Sequence, residues 1–210
     1  MVILGLTGSI AMGKSTAAAA FRRLHIPVYD ADHAVHELLA KGGAGVAPVA
    51  DAFPSALVGG RIERHLLGAI VFNDTSALSK LEGILHPLAR LAEDKFLRWQ
   101  SARRARLIVL DIPLLFESCG ERRCDAVIVV SAPSFLQAQR VLARPGMTRE
   151  RLQGILARQT PDHAKRRWAD FVVATGLGKR HSLRQLVHII RLMRGRHGRH
   201  WPPRPRARLA

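Results

Sequence analysis

Apolar positions along the chain follow two periods. Short, almost wholly apolar runs recur at 2–6, 27–29, 106–112, 126–130 and 171–174. Runs this short, rich in Val, Ile and Leu, predict strands buried on both faces, as in a parallel sheet. Between them the spacing lengthens to three and four. The Ala-rich stretch at 16–21 and the segment at 33–39 predict helices, and Ile62, Leu66, Leu67, Ile70 and Val71 share one helical face. Asn73 and Asp74 punctuate that pattern before a long helical stretch over 76–99. There Pro87, which has no amide donor, predicts a kink or break. Residues 41–60, rich in Gly, Ala and Pro, predict a loop with one short helix. Further helices are predicted from 148 to about 159 and over 181–193. Strands alternating with helices predict an α/β domain built on a parallel sheet.

The chemistry concentrates at the first strand–helix junction. Residues 8–15 read Gly-Ser-Ile-Ala-Met-Gly-Lys-Ser, the G-x-x-x-x-G-K-S/T spacing of a phosphate-binding loop. Gly8 and Gly13 let the backbone turn tightly enough for its N–H groups to converge on phosphate oxygens. Lys14 has the reach for the β- and γ-phosphates of a nucleotide. The Ser15 hydroxyl suits Mg²⁺, and the helix opening at Thr16 adds its positive end to the same anion. A glycine turn beside a surface lysine gives the same eight letters by chance. Placement between a predicted strand and a predicted helix favours the nucleotide reading.

Open α/β sheets bind ligands beyond the carboxyl ends of their strands, and further acids fall there. The run at 27–29 ends in Asp30-Ala31-Asp32. Alternate residues of extended chain point the same way. One carboxylate suits a general base on an attacking hydroxyl, the other a metal-organising role through water. The competing reading is that one of them caps the next helix. Asp111, near the end of the run at 106–112, is a candidate for the acid that organises the metal. Residues 113–117 form an exposed loop at the same edge. His86 reads either as a substrate contact or as a buried, hydrogen-bonded histidine. Gln137, Arg140 and Arg144 recur at helical spacing, which gives either an arginine face that forks onto polyphosphate or an ordinary solvated face. Thr148 and the charged residues after it read as a helix start.

Composition narrows the class. A chain of 210 residues, 48% hydrophobic, suits one α/β domain with a small inserted or lid region. No apolar stretch approaches the roughly twenty residues of a membrane span. The N-terminus runs straight into the glycine loop without a basic leader, so a cytoplasmic location is expected. Cys119 and Cys124 have no matching zinc ligands and are expected as reduced thiols. The net charge is +17, from 33 Lys and Arg against 16 Asp and Glu. No acid follows Asp170, and residues 196–210 mix Arg, His, Pro and Gly. That tail is expected to be disordered. It is either a solvated end or a polyanion contact, and it is the sole feature that points to nucleic acid.

Taken in order, these motifs resemble the dephospho-CoA kinase family. The resemblance runs from Val2 to about Thr175. It covers the glycine loop, Asp30-Ala31-Asp32, Arg61-Ile62-Glu63-Arg64, Leu85-His86-Pro87-Leu88, Pro113-Leu114-Leu115-Phe116-Glu117, the helix of Gln137 and Arg140, Arg158-Gln159 and Ala169-Asp170. It implies a P-loop kinase fold: a five-stranded parallel sheet flanked by helices, with a helical substrate-binding region and a lid. The kinase domain would span 1–195. Its core takes about 1–30, 106–135 and 169–195, the acceptor region about 32–101 and the lid about 137–168. The resemblance further implies ATP and Mg²⁺, dephospho-CoA as acceptor, and a monomer or weak oligomer without a membrane partner. Residue by residue, it implies that Gly8 and the backbone of Ala11, Met12, Gly13, Lys14, Ser15 and Thr16 wrap the ATP phosphates. Ser15 and Asp111 would serve the metal. Asp32 would be the base, with Asp30 behind it. His86, Leu114, Leu115 and Glu117 would line the acceptor pocket, and Arg140 and Arg144 would close from the lid. Three places depart from the family pattern. Ser9, Ala11 and Met12 stand in a loop that usually carries more glycine, Val35-His36 where an arginine is common, and Ala174-Thr175 where an Asp-Asn pair is usual.

Overall fold

The computed structural model describes residues 1–72 and 74–202; Asn73 and residues 203–210 of the basic tail lie outside the described residues. The elements run β1 (Val2–Thr7), α1 (Lys14–Arg23), β2 (Val28–Asp30), α2 (Ala31–Leu39), α3 (Val46–Ala52), β3 (Leu57–Val58), β4 (Arg61–Ile62), α4 (Arg64–Val71), α5 (Thr75–Ala102), β5 (Leu107–Asp111), β6 (Ala126–Ser131), α6 (Ser134–Leu142), α7 (Arg149–Ala157), α8 (Asp162–Trp168), β7 (Phe171–Ala174) and α9 (Lys179–Arg194). They form two compact units, Met1–Tyr29 together with the chain from Gln100, and Asp30–Trp99.

The first unit is built on a five-stranded parallel sheet in the order β2-β5-β1-β6-β7, as the alternating pattern predicts. Every residue of β1, β5 and β6 is buried. Burial on both faces is why these runs are apolar without alternation. The outer strands β2 and β7 are shorter and half-buried. On one face, Val2, Leu4 and Leu6 pack with Phe21 of α1 and Leu186, Ile190 and Met193 of α9. The strand β1 lies between β5 and β6, in register through Leu6 with Asp111 and with Ile128. The connection out of β1 runs to β2 on one side, and the connection out of β5 passes β1 to β6 on the other, so the carboxyl ends of β1 and β5 flank the topological switch point where such sheets bind ligands.

The second unit packs α2 to α5 around Leu39, Val49, Phe53, Ile62, Leu67 and Leu81. Two local expectations change here. Ile62 belongs to a small hairpin rather than to the helix, because Gly59 and Gly60 take φ +57 and +79 and turn β3 back onto β4. The helix α5 passes through Pro87 unbroken for 28 residues; one missing amide does not end so long a ladder. Asp74 starts it, its Oδ1 accepting from the Ser76 and Ala77 amides at 2.8 and 3.0 Å.

Part of the basic tail is held. The Arg199 N–H donates to Asp125 Oδ1 at 2.6 Å, and Asp125 Oδ2 accepts from the Ile3 N–H at 2.7 Å. Gly198 lies so close to the Met1 carbonyl that no Cβ fits. One carboxylate at the amino end of the sheet thus holds both the start of β1 and Arg199. Among the described residues, no helix is long and apolar enough to cross a membrane.

Candidate nucleotide and acceptor site

The glycine loop leaves β1 at the switch point and runs into α1. A Cβ at Gly8 would lie 2.5 Å from a methyl of Val130, so only glycine lets the loop start this close to β6. Gly13 takes φ +93, the left-handed region that glycine enters freely. Ala11 also has a left-handed backbone, with φ +58, which costs a residue carrying a Cβ about 1 kcal/mol. The Met12 side chain points away from the loop into the core, 2% exposed, and the Ala132 N–H donates to its sulfur at 3.1 Å. Its bulk is thereby removed from the phosphate side.

Lys14 Nζ lies 2.6 Å from Asp111 Oδ1, a carboxylate only 3% exposed. The pair joins the start of α1 to the carboxyl end of β5. Ser15 follows with an exposed side chain. On the far side of the loop, Thr175 Oγ1 donates to the Met12 carbonyl at 2.7 Å. Arg140 donates to the Thr175 and Ala11 carbonyls at 3.0 and 3.3 Å. Thr175, which replaces an expected amide, thus supports the loop, a role its sequence position did not announce. Arg140 is held by backbone oxygens, whereas Arg144 is exposed beyond the end of α6.

Two residues of the 113–117 loop do not serve a substrate in the way the sequence suggests. Leu114 is 43% exposed, but Leu115 is fully buried. Leu115 fills the space over Gly5 and Gly120, where a Cβ on either glycine would meet it at 2.8 Å. Glu117 is committed elsewhere: its Oε1 accepts from the Thr160 N–H at 2.7 Å and pairs with Lys165 Nζ at 3.0 Å. Burial alone would raise the Glu117 carboxyl. The Thr160 amide and the Lys165 ammonium outweigh it and hold the group below its ordinary value. The helix α8 is fastened further by Asp162, which accepts from Ser131 Oγ at 2.7 Å, and by Trp168, whose ring meets Phe116 edge-on at 5.5 Å.

Lys165 is completely buried. Lys165→Met should therefore destabilise the protein by about 3 kcal/mol, because it strands a partly buried carboxylate. Urea unfolding measures this, and the deficit should shrink as pH falls. A carboxyl held low contributes stability above its unfolded pKa and loses it as pH falls through the lower folded value. Equal deficits at pH 7 and pH 3.5 would refute the pairing.

In the second unit, Asp30 caps α2, its Oδ1 accepting from the His33 N–H at 3.1 Å. Asp32 stands exposed in the first turn. His86 is exposed on α5, so the buried-histidine reading fails.

The dephospho-CoA kinase family model matches residues 2–178. A Paramagnetospirillum magneticum protein named dephospho-CoA kinase is 60% identical over 195 residues, which cover 93% of this chain and 92% of that one. A solved structure from Thermus thermophilus aligns with a TM-score of 0.80 at 34% identity, over 91% of this chain and 96% of that one. Dephospho-CoA kinase from Campylobacter jejuni, 24% identical with a TM-score of 0.62 over 91% of this chain and 96% of that one, shares the fold.

Proposed function

The chain belongs to the dephospho-CoA kinase family, and from that premise we propose that it transfers the γ-phosphoryl group of ATP to the ribose 3′-hydroxyl of dephospho-CoA. The products are coenzyme A and ADP, the last step of coenzyme A synthesis. The observation that carries this reading is the phosphate loop at the switch point, with Lys14 fixed 2.6 Å from the buried Asp111.

Phosphoryl transfer asks the protein mainly for positioning and charge. The amides of the turn from Ala11 to Thr16 hold the phosphates. Lys14 neutralises charge on the β–γ bridge and the transferring group. Asp32 accepts the proton of the 3′-hydroxyl as its oxygen attacks phosphorus and ADP leaves. Asp30, occupied as a cap, is the weaker candidate for that role. His86 and the exposed Leu114 contact the acceptor. Arg144 closes over the phosphates, while Arg140 braces the loop. A net charge of +17 draws both anionic substrates toward the protein. The same reading puts the reaction in the cytoplasm.

The donor set near Lys14 fits Mg²⁺. Ser15 and Asp111 offer oxygen beside the loop that would carry the phosphates. Mg²⁺ typically relies on few protein oxygens and on the substrate's phosphates. When bound, it would screen the phosphate charge, with Ser15 as direct ligand and Asp111 organising its water.

The deciding experiment measures ADP release with ATP and purified dephospho-CoA. Release that depends on dephospho-CoA, and is absent with nucleoside monophosphates, is the expected result. The reverse pattern would assign another small-molecule kinase. Activity that required nucleic acid and vanished on truncation at Gly195 would assign a nucleic-acid-dependent enzyme.

A further inference from the structure

One residue of the phosphate loop, Ile10, is gripped at both of its main-chain polar groups. The Ile10 N–H donates to Gln159 Oε1 at 3.2 Å, and the Ile10 carbonyl accepts from Gln137 Nε2 at 3.0 Å. The polarity is forced: a main-chain N–H can only meet an amide oxygen, and a carbonyl only an amide nitrogen. Gln137 is 6% exposed on α6, and Gln159 is half-buried just beyond α7. Neither side chain needs a partner so distant in sequence for its own helix to form. The gripped residue immediately precedes Ala11, whose φ of +58 is a conformation that a residue with a Cβ rarely adopts. Local strain of this kind persists where the surroundings over-determine it. Here both glutamines fix the unit before Ala11, and Arg140 holds the carbonyl after it.

The two glutamines also sit at the two roots of one excursion of the chain. Gln137 lies on α6 where that excursion leaves the sheet. Gln159 lies where it returns, beside Thr160, whose amide is bound to Glu117. Between them, Arg140 adds a third tie to the loop at the Ala11 carbonyl, while Arg144 is exposed.

We propose that Gln137 and Gln159 are positioning residues for ATP. They set the two peptides that flank the Ile10 α-carbon, Gln159 the one before it and Gln137 the one after it, so that the following amides converge on the phosphates, and they make the two roots of the lid and the phosphate loop one mechanical unit. The proposal rests on the assignment of ATP to this loop.

The test replaces each glutamine with methionine, which keeps length and volume and removes the amide. Gln137→Met and Gln159→Met should each raise the KM for ATP up to about tenfold, the upper end of what one hydrogen bond contributes. The KM for dephospho-CoA should stay within about twofold, as should turnover at saturating ATP. Because both side chains hold one residue, the double variant should lose clearly less than the product of the single losses. An unchanged KM for ATP in Gln159→Met, the less buried site, would overturn the proposal. So would a rise in both KM values in proportion to a fall in melting temperature, which would mark a merely structural role. ADP release that does not depend on dephospho-CoA in the unaltered enzyme would instead strike the functional reading, leaving these two outcomes distinguishable.

Discussion

Lys14→Ala should lower turnover about 10³-fold, a loss of about 4 kcal/mol of transition-state stabilisation. The ammonium lies at the start of α1, where the loop's amides and the helix end already favour an anion. What it adds is a mobile cation that follows negative charge as it shifts to the leaving oxygen. A cation used in this way acts more strongly on the transition state than on bound ATP, so kcat should fall further than ATP affinity. One complication is built into the fold. Asp111 is only 3% exposed and faces Lys14 at 2.6 Å, so removing the lysine leaves a buried carboxylate without its counter-charge. The variant is expected to lose stability as well. The double variant Lys14→Ala/Asp111→Asn separates the two effects: it should regain the melting temperature without regaining turnover. Turnover within tenfold of the unaltered enzyme in a folded Lys14→Ala protein would remove the phosphate loop from the mechanism.

What could be read from the chain, and what could not, follows from the range of the interactions. The β1–loop–α1 unit was legible because its signals are adjacent in sequence: an apolar run, two glycines with separate backbone tasks, then a lysine and a hydroxyl. The strand Phe171–Ala174 was equally plain, since a short apolar run has few other uses. The helix α8 was not. Its sequence, Asp-His-Ala-Lys-Arg-Arg-Trp, carries no apolar stripe, and it is held instead by Lys165 to Glu117 and by Asp162 to Ser131. Hydrophobic periodicity is blind to such an element. Leu115 and Glu117 misled for a related reason. They occupy a loop at the functional edge, but one turns inward to cover Gly5 and Gly120 while the other is taken up by a lysine 48 positions later. The grip on Ile10 and the support from Thr175 are side-chain to main-chain bonds between remote residues. The letters Gln and Thr announce no such pairing.

Asp32→Asn should lower kcat about 10²- to 10⁴-fold, the usual contribution of a positioned general base, with ATP affinity within about twofold. The carboxamide keeps the shape of the side chain and gives up both its negative charge and its basicity. The neighbouring acid supplies the control. Asp30 spends its Oδ1 on the His33 amide at the start of α2, and asparagine caps a helix about as well as aspartate. Asp30→Asn should therefore leave both the melting temperature and kcat close to those of the unaltered enzyme. Swapping Asp32 for Glu tests position rather than charge. The extra methylene moves the carboxylate by about an ångström, and reactions that depend on near-attack geometry lose about 10²-fold from such a shift. The ordering Asp30→Asn, then Asp32→Glu, then Asp32→Asn, from mildest to most severe in kcat, belongs to a base on the first turn of α2. Severe loss of kcat in Asp30→Asn alone would transfer the role to Asp30. If Asp32→Asn instead raised the KM for ATP and left kcat intact, Asp32 would be an organiser of the nucleotide's metal and the proton would need another acceptor.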